Sequence, residues 1–118
     1  MVERDKLRKQ LARRKYYEAN KAKIKARTRE RTTQVRKVVR EWIREYLREH
    51  PCVDCGETNL IVLEFDHVRG TKLFNMGEAT SKGYSLKRVQ AEVAKCEVRC
   101  ANCHRQKTYK EAGHTHRH

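Results

Sequence analysis

The sequence predicts an α+β, mostly helical fold. Three observations carry that expectation: two Cys-x2-Cys knuckles, an amphipathic helical repeat, and a short apolar run with strand character. The knuckles are Cys52-Val53-Asp54-Cys55 and Cys100-Ala101-Asn102-Cys103. Brought together, they supply the four ligands of a closed, tetrahedral, structural Zn2+ site. A short pure ribbon would leave roughly 15–20 residues between its pairs. Here 44 residues separate Cys55 from Cys100, enough to carry other work.

Residues 1–50 read as a basic helical extension. Residues 3–30 contain no Gly or Pro and are rich in Lys, Arg, Ala and Glu, all good helix formers. Their apolar positions (Leu7, Leu11, Tyr16, Tyr17, Ile24) give only a broken stripe, so a long exposed helix is expected, marginal alone. Next come Val35, Val38, Val39, Trp42, Ile43, Tyr46 and Leu47, spaced for one face of a second helix. Thr32 or Thr33 can cap its start, and Pro51 disfavours helical geometry at His50 and ends it.

Residues 51–112 form the predicted zinc domain. Gly56 permits the tight turn of the first knuckle. Leu60-Ile61-Val62-Leu63-Glu64-Phe65 reads as a strand with Asp66-His67 at its end, and Lys72-Leu73-Phe74 as a short return strand. Residues 75–84 read as a loop. Ser85 caps a helix bearing Leu86, Val89, Val93 and Ala94 on one face. The second knuckle opens a last helix over residues 103–112, stopped by Gly113. A disordered tail, residues 113–118, is expected to follow; its alternating His114, His116 and His118 could bind metal adventitiously and are given no role.

Composition bounds the function. Hydrophobic residues make up 37% of the 118 residues and charged residues another 37%, so the core is small and a metal is a natural supplement to it. Five cysteines in knuckle spacing, with Cys96 left over, suit zinc in a reducing compartment better than a disulfide framework. Lys and Arg interrupt every apolar stretch, so no membrane span is expected and the protein reads as soluble and cytoplasmic. Residues 1–50 carry net charge +11 and residues 51–118 net +3. A basic half of that density attracts phosphate backbones without reading sequence, which makes DNA the expected partner. The first 30 residues lack a clean apolar stripe, which disfavours a membrane surface.

Asp66, His67 and His104 are the candidate catalytic residues. A carboxylate plus an imidazole is a modest ligand set for Mg2+ or a transition ion, with positions open to phosphate oxygens and water. The remaining imidazole can serve as general base near neutral pH. Arg69, Lys72, Arg105 and Lys107 surround them in sequence. Neighbours on a regular strand face opposite ways, so Asp66 and His67 share a site only if the strand bends there.

Taken together, Cys52-x2-Cys55-Gly56, Glu64-Phe65-Asp66-His67-Val68 and Cys100-x2-Cys103-His104-x2-Lys107 resemble the zinc-containing HNH endonucleases, above all the small phage and bacterial ones. The resemblance covers residues 50–110. It implies a ββα-metal (HNH) core around one divalent ion (Mg2+, Mn2+ or Ni2+), with the cysteine site as scaffold and a home in a bacterial cell. It also implies that His67 deprotonates the attacking water, that Asp66 and His104 hold the catalytic ion, and that Lys107 contacts phosphate, with Arg105 and Arg69 nearby. The departure is the middle letter. The family's Asn, which helps orient the general base, is missing from Ala94-Lys95-Cys96-Glu97-Val98-Arg99. Asn75 and Asn102 are alternatives that read equally well as turn residues. Cys96 is a spare ligand or, by preference, a buried free thiol. A zinc-stabilised DNA-binding module without catalysis is the runner-up function. A structural partner in an assembly such as a phage packaging complex is a third.

Overall fold

A computed structural model describes residues 2–113; residues 114–118 of the expected tail, with their three histidines, lie outside the described residues. The fold is α+β and mostly helical, with one two-stranded sheet. The chain divides into two compact units, Met1–Gln34 and Val35–His118.

Helix α1 spans Val2–Glu49. The expected break near Thr32 and Thr33 does not occur. Instead of capping a new helix, the hydroxyls of Thr28, Thr32 and Thr33 donate back to the carbonyls of Ile24, Thr28 and Arg29 within one turn. With no Gly or Pro to interrupt it, the backbone ladder continues. In the first unit nearly all side chains stay exposed, including Leu7, Leu11, Tyr16 and Tyr17, while Ile24 is half-buried.

In the second unit the helical repeat works as an apolar face. Val39 is fully buried with Phe74, Ala79, Val89 and Val93, and Val35, Trp42, Ile43 and Tyr46 pack against this cluster. Fully burying a valine of this kind contributes about 2 kcal/mol. Val38, predicted on the same face, is 47% exposed. After the helix ends, His50 stacks on Tyr46 at 3.8 Å between ring centroids.

The sheet differs from its sequence reading. Leu60–Val62 form a 3-10 turn, capped by the Asn59 side chain accepting from Ile61 N, and only Leu63–His67 form strand β1. Its antiparallel partner is β2, Cys96–Cys100, in a register running from Leu63↔Cys100 to His67↔Cys96. The predicted return strand at Lys72–Phe74 is absent, because Phe74 buries its ring in the core and Leu73 N donates to Glu92 Oε2. Between the strands lie a short helix α2, Glu78–Ser81, within the predicted loop, and α3, Leu86–Val93. Ser85 caps α3 as predicted, its Oγ accepting from Arg88 N. Helix α4, Ala101–Glu111, follows β2 directly. A second apolar cluster of Leu47, Leu63 and Val98 encloses Cys52 and Cys100.

Candidate functional site

The two knuckles meet where β2 passes into α4. Gly56, at a φ of +76°, closes the first turn with its N–H on the Cys52 carbonyl at 2.9 Å. Val53 N donates to Val98 O at 2.9 Å and so ties this knuckle to β2. In the second knuckle Cys100 is the N-cap of α4, and its Sγ accepts from Cys103 N.

The ligand atoms of Cys52, Cys55, Cys100 and Cys103 all lie within 4.8 Å of one another. Cys55 Sγ and Cys100 Sγ are 3.7 Å apart, far beyond a disulfide bond. A zinc–sulfur distance of about 2.3 Å places tetrahedral ligands about 3.8 Å apart, so the cluster is able to hold a metal ion such as zinc.

The thiols' acidities point the same way. Burial is the largest influence on Cys52 and would raise it, but backbone N–H groups from Cys100, Cys55 and Asp54 outweigh it and bring it down to about 6. Cys103 is pushed up by the neighbouring Cys100 and Cys55 sulfurs. Crowded thiolates repel one another, and a dication held among them would remove that conflict. Cys96 is not in this cluster. It is a buried free thiol that donates to Glu92 O at 3.4 Å, and burial, with Glu92 and Asp66 nearby, raises it to about 11.

The β-pleat sorts the candidate catalytic residues. Glu64 and Asp66, two apart on β1, both meet His104 on α4. Glu64 Oε1 lies 3.0 Å from His104 Nδ1, and Asp66 Oδ1 lies 3.4 Å from His104 Nε2. Asp66 Oδ2 accepts from Arg99 at 2.7 Å and from Lys107 at 2.8 Å. Burial alone would raise the Asp66 carboxyl, but Lys107, His104 and Arg99 together hold it below its ordinary value. Arg99, 8% exposed, also donates Nε to Asp54 at 2.8 Å and so links the first knuckle to Asp66.

His67 goes elsewhere. Its Nε2 lies 2.9 Å from Glu92 Oε2 on α3. The structure thus brings Asp66 and His104 together and turns His67 toward α3. His67 and His104 nonetheless both line one cleft of about 540 Å³, with Glu64, Lys72 and Asn75. Asn102 is exposed on the first turn of α4. Among the described residues, the four cysteines are the only group of three or more His, Cys, Asp or Glu side chains close enough to share an ion.

The basic candidates are partly committed within the protein. Arg69 donates to Ala94 O at 2.6 Å, which anchors the turn before β2. Lys107 is shared between Asp66 and Glu111. Arg105 is exposed beside His104 and Glu64 in a second concavity.

Sequence reasoning missed Glu64, Glu92 and Arg99. Two left a signal. Glu64 shares the strand face of Asp66, and Glu92 sits three residues after Val89 and beside Val93 on the apolar face of α3. Arg99 left none, because its partners come together only in the folded sheet.

No protein-family model, curated protein or solved structure matches this chain. The functional reading therefore stands on its residues and their geometry. No helix among the described residues is long and apolar enough to cross a membrane.

Proposed function

We propose that this protein is a zinc-stapled, metal-dependent endonuclease of the HNH type that hydrolyses DNA phosphodiester bonds. The observation that carries this reading is the approach of Asp66 Oδ1 to His104 Nε2, 3.4 Å apart, across a strand–strand–helix unit laced by the cysteine cluster. Adjacent ligands at about 2.1 Å from an octahedral ion lie about 3 Å apart, so the pair fits a divalent ion such as Mg2+. Such an ion, held by Asp66 and His104, would supply charge stabilisation at the scissile phosphate and the leaving 3′ oxygen.

The chain's own residues then divide the work. His67, lining the cleft, takes a proton from water as the water oxygen attacks phosphorus, and the P–O3′ bond breaks. Glu64 holds the His104 ring through Nδ1, leaving Nε2 turned toward Asp66. Arg99 fixes the Asp66 carboxylate from behind. Lys107 and Arg105 offer positive charge beside the cleft for the backbone phosphates, and the basic residues of α1 attract the duplex as a whole. Zinc in the four-cysteine cluster holds β2 and the start of α4 to the first knuckle.

One observation favours the runner-up, a DNA-binding module without catalysis. Asp66 Oδ2 is already held by two cations, Arg99 and Lys107. Conversion of supercoiled plasmid by the zinc-loaded protein with Mg2+, Mn2+ and Ni2+ in turn separates the two. The nuclease reading expects metal-dependent nicking that His67→Ala abolishes while DNA binding persists. Binding without nicking by the wild-type protein under all three metals would favour the module.

A further inference from the structure

Among the described residues, Glu92 is the one acidic side chain almost wholly removed from solvent, at 1% exposure, and it lies on the helix face of Val89 and Val93. A buried carboxylate is costly unless every lone pair is used. Here three donors converge on it: Lys95 Nζ on Oε1 at 2.9 Å, and on Oε2 both Leu73 N at 3.0 Å and His67 Nε2 at 2.9 Å. Lys95 Nζ also donates to Thr71 O at 2.6 Å, which closes the loop over this network. The third bond is made to the imidazole that lines the cleft.

We propose that Glu92 is the positioning residue for His67, fixing its ring so that Nε2 carries the proton and Nδ1 is the bare acceptor. The inference rests on the nuclease reading and assigns Glu92 the role for which the sequence offers no Asn near the second knuckle. An ionised carboxylate only accepts hydrogen bonds, so the ring nitrogen facing it must be N–H. In the neutral imidazole the other nitrogen is then unprotonated. Among the described residues, no hydrogen bond engages His67 Nδ1, and the ring lines the cleft shared with His104. Lys95 and Leu73 keep the carboxylate in one orientation, so the ring is aimed by a group that cannot itself turn.

The test reads the tautomer directly. Full-length, zinc-loaded protein labelled with 15N in its histidines is examined by two-bond 1H–15N correlation, the His67 signals being assigned by their loss in His67→Gln. The wild type is expected to show the Nε2–H form of His67. Glu92→Gln can present either its oxygen or its NH2 to the ring, so that preference is expected to weaken. Nicking turnover should fall roughly 10- to 100-fold with KM unchanged. Val89→Ala is the control: it loosens the same helix face without touching the carboxylate or its donors, and should leave tautomer and turnover in place. An Nδ1–H form in the wild type overturns the proposal even if Glu92→Gln fails to fold. So does an unchanged tautomer and rate in a folded Glu92→Gln. Failure of the nuclease reading looks different: no nicking by the wild type under any metal, whatever tautomer is seen.

Discussion

Residues 2–34 keep nearly every side chain in water, whereas residues 35–113 bury three charged side chains, Asp66, Glu92 and Arg99, each among named partners. In the first region 13 Lys and Arg stand against 4 Asp and Glu, and the recorded bonds are local ones, such as Lys21–Glu18 and Asn20–Tyr16. Exposed pairs of that kind contribute little, typically 0–1 kcal/mol. In the second region three charges turn inward. Arg99 spans Asp54 and Asp66, and Glu92 collects Lys95, Leu73 and His67. The contrast teaches that charge left in water is available to an outside partner, while buried, paired charge fixes the position of particular atoms.

Removing zinc should break this comparison most severely. With two small apolar clusters among the described residues, the 35–113 unit is expected to depend on a metal held by the cysteine cluster, where structural zinc would supply on the order of 10 kcal/mol. Chelation or Cys100→Ser is expected to abolish the near-UV signal of Trp42 and the cooperative unfolding transition. A chelated protein that melts like the loaded one would contradict the structural role of the cluster.

Acid tests the inward charges. Although burial alone would raise the Glu92 carboxyl, Lys95, Leu73 N and His67 bring it from an ordinary 4.5 down to about 2. A carboxyl depressed in this way contributes stability that is complete above about pH 4.5 and is lost as pH falls from there toward 2, on the order of 3 kcal/mol in all. Urea titrations of the wild type and Glu92→Gln should show that advantage near pH 6 and about half of it at pH 3. Taking the difference between the two proteins cancels the acid sensitivity they share at the cysteine cluster.

The smallest effect compares the two regions residue for residue. Val89→Ala, at a fully buried site, should cost roughly 2 kcal/mol, while Leu11→Ala, 50% exposed, should stay within about 0.5 kcal/mol. Equal costs in thermal melts would mean that the first region packs against something in solution.

Much of this was legible in the sequence because local chemistry decided it. The Ser85 cap, the Gly56 turn, the knuckle spacing and the helical stripe ending at Leu47 each depend on neighbours within a few residues. The approach of Asp66 to His104 followed from the pairing of the two knuckles, with Asp66 between them and His104 directly after the second. What stayed hidden depended on tertiary choice. Strand β2 was masked because Cys96-Glu97-Val98-Arg99-Cys100 reads as the approach to a knuckle, and its burial appears only once Leu63 and Phe65 lie opposite Cys100 and Val98. Thr32 and Thr33 are good caps in isolation and were overridden by the continuing helix. Glu92 was passed over although it shares the face of Val89 and Val93, because Leu73 and His67 reach it only in the folded domain.

The central claim is that chemistry belongs to His67 and its cleft, and general attraction to DNA to the basic residues of the first region. The most direct measurement is duplex binding across a salt series and metal-dependent nicking, on three proteins: wild type, His67→Ala, and a chain with Arg13, Arg14, Lys15, Lys21, Lys23 and Lys25 replaced by Gln. His67→Ala should bind with wild-type affinity and salt dependence yet nick nothing. The neutralised chain should lose affinity, its salt slope shrinking by up to about 0.9 for each phosphate contact removed, and still nick at saturating protein. Nicking by His67→Ala at the wild-type rate would contradict the account.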